Sequence, residues 1–325
     1  MTIELSYERF NNGDDIVPWY SAEEVIRNTG DANTLGGNDR ITGVGPGRRS
    51  SISDSGIYNS GTILMDWGDD MITGTYDATE YSLHNANYVR LRSNNGRSIY
   101  KDNRGRTLYY PNDSIPLPVN NYGIYNAGTI DTGDGNDTIT GINSSNMYKP
   151  NYISLYDWDT IAIYNPDEIG INNGGKIDMG GGNDFIISQG KFINYGNVSL
   201  GNGDDAITSY GVIYNSGRID TGNGNDFIIA NRGFASDYIS SGSVLLKEGE
   251  DYLNGFGNGS FNGGDGDDTL ELTFGSYTIG IVGAVVSFTN GDVIMITSEF
   301  EKLKAGSTSY DFRHLTHGQI INVSW

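Results

Sequence analysis

The chain has 325 residues, with 47 glycines, 7 prolines, no cysteine and a formal net charge of −21. Without cysteine there is no disulfide framework and no Cys-based zinc site. The acidity argues against nucleic acid, whose phosphates need a basic surface, and favours hard cations.

The N-terminal stretch, residues 1–25, does not follow the pattern of the rest and is expected to cap it. Ser21-Ala22-Glu23-Glu24 has capping-box spacing before Val25-Ile26 and predicts a short helix there. It lacks the basic start and apolar core of a cleaved secretory signal. The longest apolar run, Ile279 to Val286, is too short to span a bilayer.

Residues 26–273 read as a solenoid. Between residues 171 and 229 a 21-residue unit recurs almost without interruption, and a fixed period near 20 residues marks a stacked repeat. Each unit has two Gly-rich corners, N-x-G and G-x-G-[ND]-D. Eight aspartates define the phase: Asp39, Asp70, Asp137, Asp184, Asp205, Asp226, Asp251 and Asp268. Eleven residues before the first six stands asparagine in every case (Asn28, Asn59, Asn126, Asn173, Asn194, Asn215), and Ser240 and Gly257 replace it in the last two. Two residues after each aspartate comes Ile or Leu, from Ile41 to Leu270.

These columns have separate physical meanings. Ile or Leu at one phase stacks into an inward apolar ladder. Repeated glycine permits positive φ at the corners. The asparagines can form a neutral amide ladder. Ionised aspartates stacked in register at roughly 4.8 Å would repel by about 3 kcal/mol per neighbouring pair at an effective dielectric near 20. A column of eight therefore calls for a counter-charge between rungs.

All variation in length falls after the aspartate, so the insertions at 44–54, 75–121 and 142–168 are expected to leave the solenoid on one side. The 75–121 insertion is rich in arginine and tyrosine. A binding or catalytic site there would draw on Arg104, Arg106 and Tyr109, with Asp157 from the next insertion, and would take a second domain, a protein or a small molecule as partner. Residues 274–325 alternate apolar and polar in runs such as Val282 to Thr289, Val293 to Thr297 and Gln319 to Val323, and are expected to be capping strands. His314 and His317 read as a surface pair. Ice or surface binding would need outward ranks of Thr, and Thr132, Met179 and Thr221 at one phase are too irregular for that.

Gly263-Gly264-Asp265-Gly266-Asp267-Asp268-Thr269-Leu270-Glu271 fits the G-G-x-G-x-D-x-U-x nonapeptide at every specified position. In this the chain resembles the RTX (haemolysin-type) calcium-binding repeat family over about 250 residues. The resemblance implies a right-handed parallel β-solenoid of about eight rungs that binds several Ca²⁺ ions and couples its folding to them. The carboxylate ligands carried over are Asp137, Asp184, Asp205, Asp226 and Asp268, with Asp39, Asp70 and Asp251. Backbone carbonyls of Gly133, Gly135, Gly180, Gly182, Gly201, Gly203, Gly222, Gly224, Gly264 and Gly266 complete the shell. Here only one corner is acidic, so one row of ions is expected along one edge and the asparagine ladder along the other. The resemblance also implies a structural or interaction module, secreted from a bacterium without a cleaved signal. The alternative is an enzyme or the solenoid part of one, such as a small-molecule alkylating cyclase, which would be cytoplasmic. No catalytic motif of that kind is matched.

Overall fold

The computed structural model describes residues 2–18, 25–46, 55–77, 89–92, 98–101, 107–110, 122–143, 168–236 and 242–324. It is a parallel β-solenoid whose turns each lay one strand on three sheets. In the unit starting at Ile213, the first face takes Ile213–Asn215, the second Arg218–Asn223 and the third Phe227–Ala230. The N-x-G corner joins the first face to the second, and the G-x-G-[ND]-D corner joins the second to the third. The third corner leads to the next rung.

Register is continuous apart from one irregularity on the first face, between Ile169 and Ile171. On the first face Ile26, Ile57, Ile124, Ile171, Phe192 and Ile213 stack in pairs. On the second, Ala32, Ile63, Ile130, Ile177, Val198, Ile219 and Val244 do so. The third carries the Ile/Leu ladder predicted from spacing: Ile41, Ile72, Ile139, Ile186, Ile207, Ile228, Leu253 and Leu270 are all buried. The core is therefore three apolar ladders meeting inside a narrow prism. Burying each large aliphatic side chain contributes on the order of 1.5–3 kcal/mol.

The insertions join the rod at the third corner. Strand Arg40–Pro46 leads towards residues 47–54, Met71–Asp77 towards 78–121 and Thr138–Asn143 towards 144–167. Within the second insertion, Val89–Arg92, Ser98–Lys101 and Thr107–Tyr110 form an antiparallel three-stranded sheet.

Three expectations need correction. The predicted helix is absent where it can be described: Val25–Asn28 is a strand of the first face, and residues 21–24 lie outside the described residues. A capping-box spacing is outweighed here by inward burial of Ile26 in the apolar ladder. Residues 1–25 are also more than a cap, because Thr2–Glu4 and Ile16–Val17 pair in parallel with the next rung. At the other end, Val282 to Thr289 is not one strand. Gly283, at φ 63°, turns the chain between Gly275–Val282 and Val285–Asn290, which pair antiparallel. Beyond them the solenoid resumes: Val293–Ser298 and Lys302–Ala305 pair in parallel with the last repeat. The cap is therefore a hairpin excursion inserted before a final partial rung, followed by Thr308–Asp311 and Ile320–Val323, which pair antiparallel with Lys302–Ala305 and Gly275–Val282.

Candidate metal centre: the aspartate column

The strand after each acidic corner begins one residue past the aspartate, and its alternation, carried back to that residue, decides where the carboxylate goes. Ile186 points inward, and Asp184, two residues earlier, points inward too. All eight aspartates predicted as ligands are buried, at 0–2% exposure. They form one column, and each Oδ1 accepts the backbone N–H of the preceding rung's aspartate. Asp39 N–H donates to Asp70 (2.7 Å), Asp70 to Asp137 (2.8 Å), Asp137 to Asp184 (2.8 Å) and Asp184 to Asp205 (2.8 Å). Asp205 then donates to Asp226 (2.9 Å), Asp226 to Asp251 (2.7 Å) and Asp251 to Asp268 (2.9 Å).

Two members escaped the sequence reading. Asp15 starts the column, donating its N–H to Asp39 Oδ1 at 2.8 Å, while its own carboxylate accepts from Asn11. Glu301 ends it, accepting from Asp268 N–H at 2.8 Å. Both carried a signal. Gly13-Asp14-Asp15-Ile16-Val17 keeps the glycine two before and the apolar residue two after. Glu301 has Leu303 two after, and Glu299, two before, adopts the positive φ (55°) that glycine supplies elsewhere.

The second oxygen has no such partner. Oδ2 of Asp39, Asp70, Asp137, Asp184, Asp205, Asp226, Asp251 and Asp268 is buried and accepts no hydrogen bond. A buried acceptor left unpaired costs on the order of 1–3 kcal/mol, and more when charged. Thr34, Thr132 and Thr221 stand beside Asp39, Asp137 and Asp226 and lower their proton affinity. Each of these hydroxyls has a single proton and a second acceptor in reach, a backbone carbonyl of the following rung. At the same phase in the other rungs are the buried apolar side chains Met65, Met179, Leu200 and Leu246. Burial, reinforced by neighbouring carboxylates, pushes Asp184 up to about 8 and Asp70, Asp205 and Asp251 up to about 7. It pushes Asp137 and Asp268 up to about 6, and raises Asp39 and Asp226 in the same direction.

The residue just before each aspartate faces outward and bonds in the opposite sense. Asp69 N–H donates to Asn38 Oδ1 and Asn136 N–H to Asp69 Oδ1, both at 2.9 Å. The series continues through Asn183, Asp204, Asn225 and Glu250. This outer column mixes amides and carboxylates, so an amide oxygen serves as rung-to-rung acceptor there. The inner column does the same job with Oδ1, yet none of its eight repeated positions is Asn. What the inner aspartates have and asparagine lacks is the second oxygen.

At the N-x-G corner an amide ladder runs from Asn28 to Asn215, with only Oδ1 of Asn28, at its first rung, buried without a donor. Nδ2 of Asn28, Asn59, Asn126, Asn173 and Asn194 each donates to Oδ1 of the next asparagine at 2.8–2.9 Å, ending on Asn215. Each link satisfies polar atoms inside the prism without any ion.

The carbonyls proposed to join the aspartates lie in the turn itself. Glycine is obligatory there, since a Cβ on Gly135, Gly182 or Gly203 would stand 1.6–1.7 Å from the carbonyl oxygen of the preceding rung's glycine. The carbonyls of Gly133 and Gly180 already accept N–H groups of Gly181 (3.3 Å) and Asn202 (3.1 Å), which leaves each a second lone pair. Among the described residues no three acidic or imidazole side chains converge on one point. A cation at this edge would thus be held by column carboxylates together with backbone carbonyls. With that shell the orphaned Oδ2 atoms fit a hard, oxygen-seeking ion.

The other candidates do not form a described site. Arg104, Arg106 and Asp157 lie outside the described residues, and of Tyr109 only the backbone is described, in Thr107–Tyr110. His314 and His317 do not converge: His314 lies 3.8 Å from Asp311, and His317 Nδ1 accepts the N–H of Ile281. Thr132, Met179 and Thr221 are buried, so that phase forms no outer face.

The strand pairing and the columns define the class: a parallel β-solenoid with a buried carboxylate column along one edge. No family model matches the chain, and no curated protein matches it. Among solved structures, a hyperactive, Ca²⁺-dependent, β-helical antifreeze protein from an Antarctic bacterium is similar at 18% identity, over 81% of this chain and 78% of that one, with a TM-score of 0.26.

Proposed function

We propose that this chain is a calcium-binding structural module of the RTX type, in which Ca²⁺ ions along the acidic edge neutralise the aspartate column and couple folding to ion binding. The observation that supports it most is the row of eight buried Oδ2 atoms, of which only those of Asp39, Asp137 and Asp226 have a threonine hydroxyl nearby, in positions where an amide would serve if only Oδ1 mattered. Asp39, Asp70, Asp137, Asp184, Asp205, Asp226, Asp251 and Asp268 hold the ions with corner carbonyls, and Glu301 closes the row. Bound calcium supplies positive charge between rungs, and its binding free energy adds to the folding free energy. The chain's own part is to fix each carboxylate through Oδ1 and to exclude water by packing the glycine turns on one another. Such a module belongs outside the cell, where calcium is plentiful, and acts as a rod that presents its insertions to a partner.

The reading is tested by equilibrium dialysis against Ca²⁺ near neutral pH, followed by metal analysis. Several tightly held calcium ions per chain are expected, with fewer in Asp184→Asn and Asp205→Asn. Wild-type protein that retains no calcium above the dialysate would overturn it.

A further inference from the structure

Asn173 is the only member of the asparagine ladder followed directly by glycine; the others precede Thr29, Ser60, Ala127, Tyr195 and Ser216. The fold does not require that glycine. Gly174 is not among the residues at positive φ, and a Cβ built on it meets nothing closer than 3.7 Å, the oxygen of Asn126. Its neighbours in the stack, Gly175 and Gly128, differ: a Cβ on either would come to 2.0 Å from a carbonyl oxygen.

An Asn-Gly pair is chemically labile. The glycine amide nitrogen attacks the asparagine Cγ, ammonia leaves, and a succinimide ring forms. Water then opens the ring to aspartate or isoaspartate. In the folded chain every participant is held. Asn173 is fully buried, its Nδ2 donates to Asn194 and its Oδ1 accepts from Asn126, both at 2.8 Å. The attacking nitrogen, Gly174 N–H, is tied to Asn126 O at 2.7 Å.

We infer that Asn173 is a spontaneous deamidation site which the solenoid protects when folded, and whose conversion in an unfolded chain irreversibly removes its ability to refold. The ladder is directional, each amide donating onward, and a carboxylate has no hydrogen to pass to Asn194. The product would also place an ionised group in a buried neutral column, and the isoaspartate form lengthens the backbone inside a strand that must keep register. Two of the chain's other Asn-Gly pairs lie where the repeat tolerates a carboxylate. Asn202 and Asn223 are exposed at the acidic corner, where the repeat already carries Asp134 and Asp265 at the same phase, so conversion there is compatible with the fold. The site therefore marks how long a chain has stayed unfolded, and the inference stands whether or not the aspartate column takes cations.

The test compares wild-type protein with Gly174→Ala, aged either folded or in urea at mildly alkaline pH, followed by peptide mapping and refolding with and without calcium. Ala127 occupies the equivalent place one rung earlier, so Gly174→Ala should fold as wild type; Gly174→Ser, matching Ser60 and Ser216, is the second variant. In urea, Asn173 should gain one dalton and refolding yield should fall in step with it. In the folded protein conversion should be at least about a hundredfold slower, since reaction requires local opening. The Gly174 variants should age in urea with their refolding yield largely retained. Wild-type chains that convert at Asn173 yet refold fully, or Gly174 variants that lose competence as fast as wild type, would overturn the inference.

Discussion

At the level of single residues, the acidic edge depends on what each aspartate's second oxygen meets. Asp184 lies between Asp137 and Asp205, and burial, reinforced by those two carboxylates, pushes it up to about 8. Asp184→Asn keeps an acceptor for Asp137 N–H and removes a charge. It should stabilise the metal-free protein by roughly 1–2 kcal/mol and make the calcium-loaded protein less stable than wild type. Urea melts with and without calcium check both signs. The corner glycines make the opposite case. Gly135→Ala places a Cβ 1.6 Å from Gly68 O at positive φ, and should cost on the order of 3 kcal/mol or more in any buffer. The aspartate, asparagine and Ile/Leu positions were legible in the sequence because repetition within the chain fixes their phase. Asp15 and Glu301 were not, because the terminal rungs keep only part of the pattern. Without the asparagine corner before Asp15, or the glycine that Glu299 replaces, neither could be phased by counting.

At the level of strands and ladders, the solenoid has two kinds of polar spine. The amide spine satisfies itself except at its first rung, where Oδ1 of Asn28 is buried without a donor. Asn126 donates to Asn173 and to the carbonyl of Lys176, and accepts from Asn59. Asn126→Ala should break those bonds, leave Asn59 with only the Thr129 carbonyl as acceptor, and cost about 2–4 kcal/mol regardless of calcium, measurable as a drop in urea midpoint. Ile186→Ala, in the third-face ladder, should cost about 2–5 kcal/mol by opening a cavity in a prism with little room to collapse. The sequence showed one apolar ladder and the structure has three, because strands of three or four residues are too short for alternation to announce itself. The strand at Val25–Asn28, where a helix was expected, has a related reason: local capping chemistry says nothing about a neighbouring rung waiting for Ile26. The outward clamp formed by the residue before each aspartate was visible as an N/D preference, but its sense of bonding was not.

At the level of the whole molecule, stability should depend on pH in a direction unusual for an acidic protein. Burial raises the folded-state proton affinities of the column aspartates above the ordinary 3.8, to about 6–8 for Asp70, Asp137, Asp184, Asp205, Asp251 and Asp268. A raised value means that their contribution is complete below about pH 4 and is lost as pH climbs through about 6–8. Metal-free protein should therefore melt at progressively lower temperature across that interval. With saturating calcium the fall should vanish or reverse, because the ion requires ionised carboxylates. The chain's formal net charge of −21 works in the same direction by adding general repulsion at high pH.

The most direct measurement is a far-ultraviolet circular dichroism titration of metal-free protein with Ca²⁺ near neutral pH, with Mg²⁺ as the control. A β signal that is weaker and melts lower without metal is expected, rising cooperatively with Ca²⁺ and poorly supported by Mg²⁺, whose stricter octahedron suits the site less. A metal-free protein already fully folded at that pH, with a spectrum and melting temperature indifferent to calcium, would contradict it: the three apolar ladders and the asparagine spine would then suffice, and the aspartates would carry protons instead of ions.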